Sequence, residues 1–177
     1  MNPTAAALVA HFGMTPLPVE GTWFVSTWRS DTTTDLPDGT PAGTAMIGLY
    51  TADPPSRSLF HRLTHDEVWH FYGGDPIRLV LLHPDGTDDE VTLGPDPLHG
   101  HHVQYVIRAG TWQAGELHHG GEWALFGCTM APGFTGTCFE GGTGATLVAT
   151  HPQRADDIAR LAVPADEPTA MPDGFAT

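Results

Sequence analysis

Short runs of hydrophobic residues, some continuous and some alternating with polar ones, fill the chain from residue 23 to residue 130. β-Branched and aromatic residues are common in these runs, as they are in strands. Gly-Gly, Asp-Gly and Gly-Pro turn signals separate many of the runs. Many short strands at close spacing favour a sandwich or a closed barrel. The pattern predicts strands over residues 23–29, 45–50, 59–63, 67–72, 77–83, 90–93, 103–108, 111–117 and 123–130.

Two short helices are predicted, one near each end of the chain. Thr4 can cap a helix over residues 5–12, and Gly13 can supply the left-handed residue that ends it. Residues 154–161 have the composition of a second short helix, and the residues after Pro164 have the composition of a tail.

The length of 177 residues fits one domain, which we place at residues 1–164, followed by a C-terminal tail at residues 165–177. The formal net charge of −14 repels phosphate backbones and offers no polybasic patch to an anionic membrane, so neither nucleic acid nor membrane is an expected partner. The first residues lack the features of a secretory signal, and a cytoplasmic location is expected. Cys128 lies in an apolar run and is predicted to be a buried free thiol.

The densest group of chemically active residues lies between residues 60 and 74. In a strand, alternate side chains face the same way, so Glu67, Trp69 and Phe71 share one face. A carboxylate beside two aromatic rings inside a barrel must be paired, hydrogen-bonded or metal-bound. We therefore predict that Glu67 faces the interior and has partners there.

The same segment carries a resemblance to a known family. Residues 60–76 follow the pattern F-H-R-x-x-x-D-E-x-W-H-F-Y-x-G-D-P, and the runs L-G-P-D at 93–96, A-G-x-W-Q at 109–113 and G-C-T-x-A-P-G-F at 127–134 follow in order. Together they resemble a small single-domain branch of the cupin superfamily, whose members are largely of unknown function. The resemblance implies an all-β cupin jelly-roll barrel with short N- and C-terminal helices, an interior pocket, and pairing as a homodimer.

Most cupins hold a divalent metal through two histidines spaced H-x-H, a glutamate and a later histidine. The resemblance places His61 and Glu67 on the first histidine and the glutamate, while Leu63 and Gln113 stand where the other two histidines would be. His65, on a nearby loop, is one substitute ligand. Because a bound transition metal usually takes three or four ligands, no cofactor is predicted. A divalent metal is the alternative, held by His61, Glu67 and Gln113.

Without a metal, His61 and Glu67 form a candidate acid–base pair, and Gln113 would position a substrate carbonyl or hydroxyl. Metal-free cupins include sugar-nucleotide epimerases and small dehydratases. The resemblance therefore favours a metal-independent isomerase, epimerase or dehydratase that acts on a small polar metabolite in a biosynthetic setting. Two rival functions stay open: metal-dependent chemistry of the oxygenase type, and a non-catalytic module that binds a small ligand.

Further residues are expected around the pocket. Trp69 and Tyr50 are placed in its wall. Arg62 and Arg57 are candidates to meet an anionic substrate group, although a surface ion pair is the more expected role of either. Members of this branch often carry H-P-E-G-G before the first strand, whereas residues 18–22 here read P-V-E-G-T. If that stretch shapes the mouth of the pocket, the substrate differs from that of other members. The cluster of His99, His101 and His102 is expected to lie on a loop outside the site.

Overall fold

The computed structural model describes residues 1–36 and 39–175 of the chain. Strands dominate it, with one helix before them and two helices after them. The helices are α1 (Pro3–Phe12), α2 (Gly144–Thr150) and α3 (Ala155–Leu161). The strands are β1 (Thr15–Pro16), β2 (Trp23–Arg29), β3 (Thr44–Thr51), β4 (Ser58–Leu63), β5 (Glu67–Gly74), β6 (Ile77–Leu82), β7 (Asp88–Leu93), β8 (Gln104–Ile107), β9 (Trp112–Leu117), β10 (Trp123–Met130) and β11 (Phe139–Gly141).

The strands form two antiparallel sheets, in the orders β1-β2-β3-β10-β5-β8 and β11-β4-β9-β6-β7. Their facing sides meet in the main hydrophobic core, where Tyr50 and Phe126 of the first sheet pack with Leu79 and Leu93 of the second. The predicted jelly-roll is confirmed. The full closure expected of a barrel is not found, because the hydrogen-bonded ladders described here remain two separate sheets.

All nine predicted strands are present, and each begins and ends within two residues of its predicted bounds. Both predicted helices are also confirmed, as α1 and α3, and Gly13 ends α1 at φ +63°. The predicted cap of α1 was wrong. Asn2, rather than Thr4, accepts the backbone N–H groups of Thr4 and Ala5, because Pro3 already has the fixed φ that suits the first helical position. Elements β1, β11 and α2 were not predicted.

The outer face of the five-stranded sheet is covered by α2 and α3. Leu147 of α2 and Ile158 and Leu161 of α3 are fully buried against Phe60 and Trp112. At the edge of this contact, Asp157 accepts hydrogen bonds from three guanidinium groups, those of Arg78, Arg154 and Arg160. These ion pairs attach α3 to the sheet, and they hold the pKa of Asp157 below its usual range.

We expect Asp157→Asn to lower the free energy of unfolding by about 2 kcal/mol, since three arginines lose a shared charged acceptor that is only 13 % exposed. Urea unfolding measures the change. Asp156→Asn is the matched control, because Asp156 lies in the same first turn of α3 and is exposed. If the two variants lose the same free energy of unfolding, the arginine contacts of Asp157 contribute nothing to stability, and the whole effect comes from a negative charge near the N-terminus of α3.

Residues 165–175, expected to form a tail, lie along one end of the two sheets. Met171 is buried, and the carbonyl oxygen of Thr169 accepts the N–H of Gly141 at 2.6 Å. Phe175 packs against the rings of Phe24 and Phe134. This segment therefore contributes apolar cover to the end of the fold where β1 and the loop after β10 meet. Within the described part of the chain, every helix is too short or too polar to cross a membrane.

Candidate functional site

A cavity lies between the two sheets at the end covered by Phe134 and the loop that follows β1. The empty space in and around it, including open solvent at its mouth, is about 520 Å³, of which about 40 Å³ can hold the centre of a water-sized molecule. Its walls are mostly apolar, and its polar groups come from β3, from β4, from the start of β5 and from the loop after β1. The lining side chains are Leu17, Glu20, Thr44, Ala45, Met46, Ser58, His61, Leu63, Glu67, Trp69, Phe126, Cys128, Met130 and Phe134.

Glu67 is the first residue of β5 and points into this cavity, as its alternation with Trp69 predicted. Its Oε2 accepts the indole N–H of Trp69 at 2.9 Å and the side-chain amide of Gln113 at 2.9 Å. The same indole N–H lies 3.0 Å from Oε1 of Gln113, so the three side chains hold one another in place. Burial raises the pKa of Glu67, while His61 and these donors oppose that effect.

His61 lies on β4, inside the cavity and only 2 % exposed. Its Nδ1 is 2.8 Å from the carbonyl oxygen of Leu59, so in the neutral ring Nδ1 carries the proton and Nε2 is left as the basic nitrogen. The ring stacks on Phe139 with a centroid distance of 5.3 Å. Burial lowers the pKa of His61 despite the nearby charge of Glu67, so at neutral pH the imidazole is uncharged.

A second carboxyl group, that of Glu20, also lines the cavity and was not predicted from the sequence. Its Oε2 is 3.7 Å from Nδ1 of His61. The loop reaches the cavity through a tight turn in which the N–H of Glu20 donates to the carbonyl of Pro18, with Val19 at φ +67°. Burial raises the pKa of Glu20 to about 7, although a hydrogen bond from Ser58 acts in the opposite direction. The glutamate and glycine that residues 18–22 share with the H-P-E-G-G pattern were the available signal.

Three buried hydroxyl groups lie in contact with one another next to Glu20. Tyr50 donates its phenol hydroxyl to Oγ of Ser58 at 2.6 Å, and Oγ1 of Thr22 lies 2.9 Å from the same oxygen. All of these hydroxyls are buried, and the hydroxyl of Ser58 acts on Glu20 by lowering the pKa of its carboxyl.

The structure brings most of the predicted site residues together, in roles that partly differ from those expected. His61, Glu67 and Trp69 line the cavity. Gln113 lies behind them, because both ends of its amide are used by Glu67 and Trp69. Tyr50 lies behind Ser58 rather than in the cavity wall.

Arg62 does not line the cavity, and it forms a surface ion pair, which is the more expected of its two roles. Its side chain is about half exposed, pairs with Glu140 at 2.7 Å and lies 4.6 Å above the ring of Trp112. Neighbouring residues of a strand point to opposite faces of the sheet, and Arg62 must point outward when His61 points inward. The alternation of side chains along a strand predicted that Glu67 faces the interior. Applied to β4, the same alternation places Arg62 outside the cavity.

The donor set does not match a cupin metal centre. Leu63 contributes only an apolar side chain to the cavity, and the amide of Gln113 is committed to its two neighbours. Among residues 1–36 and 39–175, no three histidine, cysteine, aspartate or glutamate side chains are grouped closely enough to hold a metal ion. This includes the neighbourhood of His99, which ends the short 3₁₀ turn at Pro97–His99, and of His101 and His102, which follow that turn.

The chain belongs to the cupin superfamily: residues 6–141 match the family described as Cupin superfamily (DUF985). The superfamily contains both enzymes and binding proteins. Comparison with curated proteins found no match.

Solved structures give the same fold. A hypothetical protein from Leishmania major is 26% identical, with a TM-score of 0.81 over 90% of this chain and 99% of its own. A protein from Shewanella oneidensis is 28% identical, with a TM-score of 0.80 over 90% of this chain and 98% of its own. A cupin 2 conserved barrel domain protein from Rhodopseudomonas palustris is 14% identical and has a TM-score of 0.51, covering 84% of this chain and 82% of its own. The similarity to the Rhodopseudomonas palustris protein concerns the fold alone.

Proposed function

We propose that this protein catalyses proton transfer on a small polar metabolite, as an isomerase, epimerase or dehydratase. The observation that carries the proposal is the meeting of one uncharged imidazole and two carboxyl groups, those of His61, Glu20 and Glu67, in one buried cavity. General acid–base catalysis works best when the acid and the base have pKa values near the working pH. The pKa of Glu20, raised to about 7, meets that condition.

The geometry gives each group a distinct role. Nε2 of His61 is the base that takes a proton from a carbon next to a carbonyl, or from a hydroxyl, because Nδ1 is committed to the carbonyl of Leu59. The carboxylate of Glu67 stabilises the imidazolium that forms, and Trp69 and Gln113 keep that carboxylate in place. Protonated Glu20 is the acid: it returns a proton to carbon in an isomerisation, or protonates the leaving hydroxyl in a dehydration.

The surroundings support this chemistry. Leu17, Met46 and Phe126 give the cavity apolar walls, and such walls strengthen charge interactions because they exclude water. The hydroxyl of Ser58 lowers the pKa of Glu20 and so stabilises the carboxylate left after Glu20 gives up its proton. Proton transfer is therefore preferred over metal-dependent chemistry, for which the donor set does not fit, and over ligand binding without reaction, which would not need an acid tuned to neutral pH.

We expect His61→Ala to reduce proton exchange by about a hundredfold or more, the usual contribution of a general base. The measurement is deuterium incorporation, by NMR in D₂O, into a panel of small hydroxyketones and amino ketones that carry an acidic C–H. His99→Ala is the matched control, since His99 is exposed and outside the cavity. Circular dichroism checks that both variants fold.

Three results of this experiment would contradict the proposal. The first is wild-type exchange that survives in His61→Ala. The second is stoichiometric metal in the wild-type protein that His61→Ala removes, measured by elemental mass spectrometry, which would favour metal-dependent chemistry. The third is tight ligand binding with no exchange on any member of the panel, which would favour a binding module.

Pairing as a homodimer, a cytoplasmic location and a place in biosynthesis stay predictions. The acidic net charge of −14 supports a small-molecule partner over nucleic acid. Sedimentation of the purified protein tests the dimer directly.

A further inference from the structure

We infer that the cavity takes a small organic cation, an ammonium compound, in preference to an anionic metabolite. The inference rests on the proposed function in one respect, since it names the substrate class for the same site. It is carried by the charges of the cavity walls, by the aromatic rings beside them and by one unpartnered nitrogen.

The first observation is that the described lining of the cavity includes no arginine or lysine side chain. The chain has no lysine and seven arginines. Five of these form ion pairs outside the cavity: Arg62, Arg78, Arg108, Arg154 and Arg160. Carboxylate and phosphate groups are recognised in proteins mainly by arginine or lysine. An anionic metabolite would meet two carboxyl groups here instead.

The second observation is that both carboxyl groups lack a cationic partner inside the cavity. Glu67 is held by an indole N–H and an amide, which are neutral donors. Glu20 is held by the hydroxyl of Ser58, and its other close contact, His61, is uncharged at neutral pH. A buried carboxylate without a counter-charge is unfavourable, so an incoming cation would supply the missing interaction.

The third observation is an aromatic wall next to these acids. The rings of Trp69 and Phe126 stack with a centroid distance of 4.8 Å and an angle of 10°, and Phe134 lines the cavity as well. The faces of aromatic rings attract cations, and tryptophan does so most strongly. Alkyl groups on the nitrogen would pack against the side chains of Met46 and Met130.

The fourth observation is independent of the acids. Nε2 of His61 is an acceptor in the neutral ring, and no hydrogen bond to it is found from residues 1–36 or 39–175. The nitrogen is open to the cavity, so a ligand can donate a hydrogen bond to it. An ammonium N–H can do so, whereas a carboxylate or phosphate offers only acceptors.

The test compares three probes of similar size, propylammonium, propan-1-ol and propionate, by isothermal titration calorimetry at pH 8. We expect propylammonium to bind at least about tenfold more tightly than propan-1-ol, and propionate not to bind. Glu20→Gln should weaken propylammonium binding about tenfold while leaving propan-1-ol unchanged. Glu167→Gln, at an exposed glutamate, is the control for the change in net charge. Below pH 7, propylammonium binding should also release protons, because the cation favours the ionised form of Glu20.

Propionate binding as tightly as propylammonium would overturn the inference, as would propylammonium binding that Glu20→Gln leaves unchanged. The test separates this inference from the proposed function, because it needs no turnover. If propylammonium binds and no compound exchanges protons, the cation site is supported and the proposed enzymatic function is contradicted. If only neutral or anionic compounds exchange protons, the enzymatic function is supported and the cation site is contradicted.

Discussion

Replacing Glu20 by glutamine is expected to stabilise the folded protein at pH 8 by about 3 kcal/mol. The pKa of Glu20 is raised from 4.5 to about 7 by burial, and each tenfold difference in proton affinity between the folded and the unfolded state corresponds to about 1.4 kcal/mol. At pH 8 the carboxyl of Glu20 is therefore ionised in both states, and its ionised form is less favourable in the folded protein than in the unfolded chain, where water solvates it. Glutamine has nearly the same shape and can accept the hydrogen bond from Ser58, but it never ionises.

The sign of the effect depends on pH in a defined way. Below pH 4.5, Glu20 is protonated in both the folded and the unfolded state, and the two proteins should have similar stability. Between pH 4.5 and about 7, the unfolded chain loses the proton while the folded protein keeps it, so the stability of the wild-type protein falls as pH rises. Above pH 7 both states are ionised and the difference stays constant. Urea unfolding at pH 4, 6 and 8 measures this profile.

Glu167→Gln is again the control, because it removes the same charge from an exposed position. It should change stability by about 0.5 kcal/mol or less at every pH. Should Glu20→Gln behave like this control, or should it destabilise the protein at pH 8, the carboxyl of Glu20 is solvated and does not lie in the cavity. A stabilising substitution at this position would also show that the natural residue is kept at the expense of stability.

Phe126→Ala is expected to lower the free energy of unfolding by about 4 kcal/mol, the largest loss we predict. Phe126 is fully buried, stacks on Trp69 and lies 4.7 Å from the ring of Tyr50. Gly48 on the neighbouring strand leaves the space that the ring fills, since a Cβ atom at Gly48 would collide with it. Removing the ring leaves a void, and large-to-small changes in cores cost about 3–5 kcal/mol for phenylalanine.

Two further variants show whether the loss comes from packing. Phe126→Leu keeps an apolar side chain of intermediate size and should cost about 1.5 kcal/mol. Tyr72→Ala removes an aromatic side chain of the same sheet that is 54% exposed, and should cost about 1 kcal/mol or less. Thermal and urea unfolding compare the three. A loss below about 2 kcal/mol for Phe126→Ala would mean that the two sheets close over the missing ring.

The strands were predictable from the sequence because their signal is local. Alternation and turn residues placed β2 and β10 at their observed bounds, and the same alternation placed Glu67 and Trp69 inside. The element α2 was missed, because its Gly-Ala-Thr-Leu-Val-Ala-Thr sequence has weak helix propensity and it is stabilised by the burial of Leu147 against the sheet. Tertiary packing of this kind has no local pattern in the sequence.

The site was predicted only in part, for a related reason. His61, Glu67 and Trp69 lie on regular strands, where spacing fixes the direction of each side chain. Glu20 lies on a loop, and its direction depends on the turn at Val19 and on the distant side chain of Ser58. Gln113 was placed correctly near Glu67, but its two bonds could not be foreseen, because they depend on the orientation of the indole of Trp69.

The turn at Val19 also indicates where proteins with this fold can diverge. Valine at φ +67° is an unfavourable choice, since a β-branched side chain rarely adopts the left-handed region. The loop is held in this shape by a few backbone hydrogen bonds around Leu17 and Glu20, outside both sheets. A few substitutions between residues 17 and 21 would redirect the Glu20 side chain while leaving every strand intact. New specificities would therefore arise first in this loop, long before the sheets change.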